Sequence, residues 1–378
     1  MEKELQENKV EVKTAQQRLE TDYYSLVREN VVRLDTAETP TRLNVAVNVG
    51  TSETRAIDFN SNSRVVNESN IVRMSNEYAI LTPTDREDLS LLEFEEKSFS
   101  SMTCIEMRNI SNLNSPISKG IVISKGLLSD KLLKTSGYSV SNSDKYSQVD
   151  EYIVNTYTGI ISIMYSNMIH FLERGEIEKA QRAMNVELNL AYMLPDEEKM
   201  SKRHAILHEA MQGTVEFSLP MMGGIRGKFS IRKNPPHQWL DVYGEAECAI
   251  YYYLIKNPTP ENRRAFKDHG VAVIDAGEGS FDIVFFKQRE LMERASSTSR
   301  KVNGSALIAR TLRNVENEAY KKDIPLRPTM EGIKRILCND PDELMLETPT
   351  QSYDISDALT NAKKEIAGEM ANIFKNTF

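Results

Sequence analysis

The segment from Val271 to Val284 restricts the possible folds more than any other part of this chain. Val271, Val273 and Ile274 form an apolar run that ends in Asp275. Gly277 and Gly279 follow, then Ser280, Phe281, Asp282, Ile283 and Val284. A buried strand that ends in a carboxylate and meets two glycines can turn sharply, because glycine has no Cβ to obstruct the bend. Successive backbone amides in such a turn can converge on an anion. The Ser280 hydroxyl adds a donor. Asp275, at the strand's end, is suited to hold the water shell of Mg2+, a hard cation that prefers oxygen ligands and keeps several waters. The same pattern is also ordinary hairpin chemistry, so this segment by itself leaves two readings open.

A second segment of the same texture raises the weight of the phosphate reading. Val45, Val47 and Val49 alternate with Ala46 and Asn48, and Gly50, Thr51, Ser52 and Arg55 come next. Strand, glycine turn, hydroxyls and a cation recur in that order. A phosphate held between two such hairpins would meet donors from both, which fits a duplicated domain.

The rest of the chain supplies the context. Leu19, Tyr23, Leu26, Val27, Val31 and Leu34 share one stripe at helical spacing, so residues 1–38 read as a helix packed on the body of the protein. Thr39 and Pro40 break it. Residues 60–148, rich in Ser, Asn and Thr, read as a small mixed subdomain with long loops. Helices are expected at 149–174, 196–211 and 245–255, and strands at 214–231 (turning at Gly223 and Gly224), 240–243, 271–274 and 281–286. The remainder reads as mainly helical. Strands alternating with helices indicate an α/β fold with covered sheets. The 378 residues suffice for two such domains. The expected division is an N-terminal extension over 1–40, a first domain over 41–240 carrying the subdomain, and a second over 241–378.

Charge and cysteine content limit the function classes. A net charge of −8 argues against a broad nucleic-acid-binding face, which needs clustered Lys and Arg. Cys104, Cys248 and Cys338 lack CxxC spacing and read as free thiols in a reducing compartment. No apolar run approaches the roughly 20 residues of a membrane-spanning helix, and the charged N-terminus has no signal-peptide core. A cytoplasmic protein is expected. His204 and His208, four apart on a helix, lack a third ligand of suitable spacing, and a metal site there is not expected. Lys199, Lys202 and Arg203 read as a solvated face. Tyr251, Tyr252 and Tyr253 read as core packing, and Cys248 as a small packed residue.

The two turns, with the helix opening at Gly244 and Glu245 and continuing through Ala246, Cys248 and Ala249, resemble the phosphate-1, phosphate-2 and connecting elements of the actin, heat-shock chaperone and sugar-kinase superfamily. Within it, the stretches 149–155, 189–195 and 213–217 are similar to the plasmid-segregation actins of the ParM/StbA kind. The resemblance spans roughly residues 43 to 375. It implies an actin-like, ribonuclease H-like fold of duplicated domains with a nucleotide cleft between them, and ATP with Mg2+ as cofactors. By carry-over, Glu245 orients the attacking water, and Asp275 positions the metal through water. Gly277, Gly279, Ser280 and Asp282 cradle phosphates on one side, and Gly50, Thr51, Ser52 and Arg55 on the other. Glu331, Lys334 and Arg335 resemble the chaperone helix that borders the adenosine, although Glu and Lys at such spacing are also ordinary on a solvated helix face. The implied activity is slow ATP hydrolysis coupled to filament assembly, with a DNA-binding adaptor as partner.

Three departures bear on this expectation. Asn48 stands where phosphate-1 usually has Asp; through a bound water it can still contact the metal, but it adds no charge. Glu278 sets a negative charge inside phosphate-2. No GG-type adenosine loop follows Gly332, so weak ATP binding is expected unless another segment completes the pocket. A degenerate actin-like scaffold and a small-molecule kinase of the same superfamily are the alternatives.

Overall fold

The computed structural model describes residues 13–34, 39–50, 53–59, 70–81, 97–110, 112, 114, 116–125, 149–195, 202–232, 239–277, 279–288, 290–292, 296–299, 301–322, 324, 326, 328–339, 344–347 and 352–377. The chain forms two compact units, Met1–Gly244 and Glu245–Phe378.

The first unit opens with two short helices, α1 (Ala15–Glu20) and α2 (Tyr24–Asn30), and a 3-10 turn at Val31–Leu34. The expected single helix is broken at Thr21, whose backbone is extended. The amphipathic stripe nevertheless does what its spacing indicates: Leu19, Tyr23, Val27 and Leu34 are buried in the unit's main core. Thr14 caps α1 through a reciprocal pair of hydrogen bonds with Gln17.

A ten-stranded sheet follows. Strands β1 (Thr41–Val49), β2 (Glu53–Asp58), β3 (Ile71–Ser75), β4 (Ala79–Ile80), β5 (Cys104–Arg108) and β6 (Ile121–Ser124) precede helix α3 (Val149–Leu172). Helix α4 (Ile177–Ala183), β7 (Asn185–Leu194), helix α5 (Lys202–Ala210), β8 (Gly213–Leu219), β9 (Ile225–Ile231) and β10 (Leu240–Gly244) come next. The sheet order is β3-β2-β1-β7-β9-β8-β5-β6-β4. The strands described within 60–148 are therefore hydrogen-bonded into the main sheet. Strand β7 runs parallel to β1 and forks on its other edge. Its first half pairs with β9 from Asn185 to Leu188, and its second half pairs with β10 from Leu190 to Leu194.

Helix α3 packs on β1, β2 and β3 and also supports α1, α4 and α5. Covered on several sides, it is apolar almost all round, as a buried helix must be. Tyr152, Ile153, Tyr157, Ile160, Ile161, Met164 and Tyr165 are at most 1% exposed. Two of its buried hydroxyls turn back onto the helix: Thr158 donates to the Val154 carbonyl and Ser162 to that of Thr158, each at 2.8 Å.

The second unit holds helices α6 (Glu245–Lys256) and α7 (Pro260–Asp268), then β11 (Gly270–Ala276), β12 (Phe281–Lys287), β13 (Glu290–Leu291) and β14 (Ser297–Ser299). Helix α8 (Gly304–Lys321), α9 (Met330–Asn339), the hairpin β15 (Met345–Glu347) and β16 (Ser352–Asp354), and α10 (Ser356–Thr377) complete it. Alternation along β12 serves two layers. Phe286 joins Ala246, Ile250 and Phe266 of α6 and α7, whereas Phe281 and Ile283 join Val302 and Ile366 near α8 and α10. Arg310 pairs with Glu369 at 2.8 Å and Arg313 with Glu365 at 2.9 Å, linking α8 to α10. Among the described residues, no helix is long and apolar enough to cross a membrane.

Candidate functional site

Each unit contains one of the two glycine turns, and both are built alike. In the first unit β1 and β2 are antiparallel, with Asn48 opposite Arg55 and Val49 opposite Thr54. The turn closes where the Gly50 amide donates to the Glu53 carbonyl at 2.9 Å. A Cβ on Gly50 would lie 2.9 Å from that same carbonyl oxygen, so the turn has no room for a side chain there. Thr51 and Ser52 lie outside the described residues.

A side chain remote in sequence fastens this turn, and a buried lysine lies beside that side chain. Asn76, fully buried, donates through Nδ2 to the Gly50 carbonyl at 2.6 Å and accepts from the Thr54 hydroxyl at 2.6 Å. Lys125, 1% exposed, donates to the carbonyl of Ser75 at 2.7 Å and to Oδ1 of Asn155 at 2.6 Å. Neither residue stands out in the sequence; Asn76 lies in a Ser/Asn-rich stretch that reads as loop.

Asn48 sits at the end of β1 with its Oδ1 buried and without a hydrogen-bond partner among the described residues. An orphaned acceptor of this kind is costly unless something meets it, and a metal-bound water is one such donor. Arg55, opposite Asn48, is exposed and forms an ion pair with Glu53, which Arg73 approaches at 4.0 Å. The guanidinium is engaged by its neighbour.

In the second unit β11 and β12 are antiparallel, with Asp275 opposite Asp282. The Gly277 amide donates to the Ser280 carbonyl at 2.9 Å. The Ser280 hydroxyl donates to Asp282 Oδ2 at 2.5 Å. An asparagine fastens this turn too: Asn303 Nδ2 donates to the Gly279 carbonyl at 2.7 Å, while its Oδ1 accepts from the Ala306 amide and caps α8. The Gly304 amide donates to the Gly277 carbonyl at 3.0 Å. The first residues of a helix thus hold the turn, and an acceptor set that would repel an anion is turned inward. Glu278 lies outside the described residues.

The remaining predicted residues fall elsewhere in this unit. Glu245 begins α6, with Glu247 also in the first turn. Glu331, Lys334 and Arg335 lie on α9, which packs against α8 and β15. Lys334 is half-buried and Arg335 exposed. The structure thus gathers Asp275, Gly277, Gly279, Ser280 and Asp282 at one turn and leaves the α9 residues on a separate element.

Other sequence signals resolve as follows. The rings of His204 and His208 are 5.6 Å apart beside Tyr192, and no group of three metal-ligating side chains is found among the described residues. Tyr251, Tyr252 and Tyr253 are 46%, 55% and 53% exposed, which corrects the core reading. Helix α6 buries Ala246 and Ile250 on a single stripe, and three consecutive positions cannot all follow it. Two cavities among the described residues lie away from the turns: one of about 730 Å³ between α1, α3 and α4, and one of about 440 Å³ between α6, α7 and β11.

No protein-family model matches the sequence, and no curated protein does either. Solved structures do match. A non-polymerisable quadruple mutant of pCBH ParM aligns over 89% of this chain and 84% of its own, at 10% identity and a TM-score of 0.55. An archaeal actin homologue aligns over 89% and 82%, at 11% identity and a TM-score of 0.55. Bacillus thuringiensis ParM with AMPPNP covers 89% and 84%, at 11% identity and a TM-score of 0.50. At these identities the likeness concerns the fold. Together with the forked parallel sheet and the repeated glycine hairpin, it identifies the fold of this chain as actin-like, with the ParM proteins among its structural neighbours.

Proposed function

We propose that the chain is an actin-like ATPase that binds ATP with Mg2+ through its two glycine turns and polymerises into filaments. The observation that carries this reading is the recurrence of one device. In each unit Asn or Asp is the last but one residue of a strand, a glycine amide closes a four-residue turn, and an asparagine side chain donates to a glycine carbonyl of that turn. Backbone amides of turns built this way suit phosphate oxygens.

Each unit by itself offers an oxygen suited to the water shell of a divalent cation. Asn48 presents a buried oxygen that lacks a donor, and Asp275 offers a carboxylate at the end of β11. When bound, the metal supplies positive charge against the charge that builds on the transferring phosphoryl group. Glu245 orients the attacking water. Gly50, Thr51, Ser52 and Arg55, with Gly277, Gly279, Ser280 and Asp282, hold the phosphates. Arg55 exchanges its Glu53 partner for phosphate on binding. Glu331, Lys334 and Arg335 border the adenosine. Hydrolysis is slow, because Asn48 contributes hydrogen bonding but no charge.

Filament formation is supported by the structural match to a 15-stranded ParM filament from Clostridium botulinum, at 11% identity and a TM-score of 0.55. Head-to-tail contacts between identical subunits generate open polymers. The biological role we assign is segregation of plasmid or other extrachromosomal DNA in the cytoplasm. A DNA-binding adaptor supplies the link that a chain of net charge −8 does not make broadly by itself.

Sedimentation and light scattering with and without Mg–ATP test the reading. The expected result is pelleting that requires nucleotide and metal, with phosphate release following assembly. Tight nucleotide binding without any pelleting would leave a nucleotide-binding scaffold in place of a filament. Absence of nucleotide binding would remove the ATPase.

A further inference from the structure

Lys125 is the group whose burial the fold explains least by stability alone. It follows β6, its side chain is 1% exposed, and no carboxylate among the described residues pairs with it. An ammonium taken out of water without a counter-charge is costly. What it touches is specific. One hydrogen bond runs to the Ser75 carbonyl at 2.7 Å and a second to Asn155 Oδ1 on α3 at 2.6 Å, while the Tyr78 ring lies 5.7 Å from the nitrogen. The Lys125 amide also donates to the Thr103 carbonyl at 3.0 Å, so backbone and side chain are both held.

Ser75 is the last residue of β3, and the next residue is Asn76, the side chain that grips the Gly50 carbonyl and the Thr54 hydroxyl. The amine therefore sits one peptide from the clamp on the first glycine turn and ties that peptide to the buried helix. We propose that Lys125 is a positioning residue for the Gly50 turn: by fixing the Ser75–Asn76 bend against α3, it keeps the Gly50 carbonyl turned onto Asn76, away from an incoming phosphate whose oxygens it would repel. The proposal rests on the reading of this turn as a phosphate-binding element.

Burial pushes the Lys125 ammonium down to about 7. Both hydrogen bonds to Ser75 and Asn155 need only two N–H groups, which the neutral amine retains. The brace thus survives loss of the proton. The groups facing the amine are the Tyr78 ring, with Asp150 and Glu151 of α3 acting on Tyr78 in turn.

Two measurements on the full chain separate this proposal from the reading beneath it. Amide exchange at Gly50 needs no nucleotide. Lys125→Met should speed it about tenfold relative to the rest of β1, because the clamp opens locally. Affinity for a fluorescent ATP analogue with Mg2+ should fall about tenfold in Lys125→Met. It should fall no further when Asn76→Ala is added, since two residues acting through one contact are non-additive. Unchanged exchange at Gly50 in folded Lys125→Met, or additive losses of affinity, would overturn the proposal. If Lys125→Met does not fold, Asn155→Ala removes the other anchor without touching the turn, and a wild-type exchange rate there overturns it equally. If wild type binds no nucleotide while exchange at Gly50 still rises, the brace stands and the phosphate reading fails.

Discussion

The two glycine hairpins are the same device set in different surroundings, and the contrast shows which parts are local and which are imposed by packing. Both turns close with a glycine amide on the carbonyl three residues on, at 2.9 Å. Both are fastened by an asparagine Nδ2, at 2.6 Å for Asn76 and 2.7 Å for Asn303. Behind the first, β1 alternates buried and half-buried positions against α3, in the largest core of the molecule. Behind the second, β11 is mostly exposed or half-buried, and its apolar residues belong to a much smaller cluster. The first asparagine is braced by a buried polar network; the second is braced by the helix that it caps. A turn can therefore be written into a few residues, while its rigidity depends on what surrounds it.

The largest effect should come from removing the two clamps. Asn76→Ala leaves the Thr54 hydroxyl and the Gly50 carbonyl without their partner in a fully buried setting, a loss of about 3 kcal/mol. Asn303→Ala costs about 1–2 kcal/mol, chiefly the helix cap. Urea melts of the two variants compare them directly, and equal losses would show that the surroundings do not matter. Next comes the pair Gly50→Ala and Gly277→Ala. A Cβ meets the backbone oxygen of Glu53 at 2.9 Å in the first and that of Ser280 at 3.4 Å in the second. The expected costs are about 2 kcal/mol and under about 1 kcal/mol, the first close to an overpacking penalty, again read from melts.

A smaller contrast concerns the strand ends, Asn48 against Asp275. Asn48→Asp buries a carboxylate where an amide oxygen now lacks a donor. Without Mg2+ this should destabilise the first unit by about 1–2 kcal/mol. With Mg–ATP it should speed phosphate release several-fold, about what one added charge near the metal provides. An unchanged rate would mean that the position does not belong to the metal's water shell. A last contrast is a pH slope confined to the first hairpin's brace. The ordinary value for lysine is 10.5, and burial lowers Lys125 to about 7. Between those values the unfolded chain holds a proton that the folded chain has lost, so this site makes stability rise with pH across that window. Below pH 7 both states are protonated and the slope vanishes. Chemical denaturation of wild type and Lys125→Met from pH 6 to 9 should show the component only in wild type.

The hairpins were legible because their signals are short-range: alternating apolar residues, a strand-end carboxylate or amide, and glycine where the chain reverses. The expected helices at 149–174 and 245–255 and the strands at 240–243 and 271–274 lie close to their observed bounds for the same reason. Strand β7, which joins β1 to both β9 and β10, was not read as a strand. Its burial alternates from Val186 to Leu194, but Ala191 and Met193, apolar at half-buried positions, obscure the alternation in sequence. The tyrosines at 251–253 read as core and are exposed, since aromatic character does not state which side of a helix faces inward.

The sequence by itself determined that two strand–glycine–strand turns exist, which residues lie in them and that an α/β fold carries them, because backbone preference and hydrophobic period act over a few residues; the actin-like kind came from the resemblance of its motifs. Only the tertiary structure decided that Asn76 and Asn303 bond to those turns and that Lys125 is buried against the residue before Asn76. Their amide and amine groups are chemically unremarkable along the chain. They take on specific contacts because packing removes water and leaves only a few partners within reach.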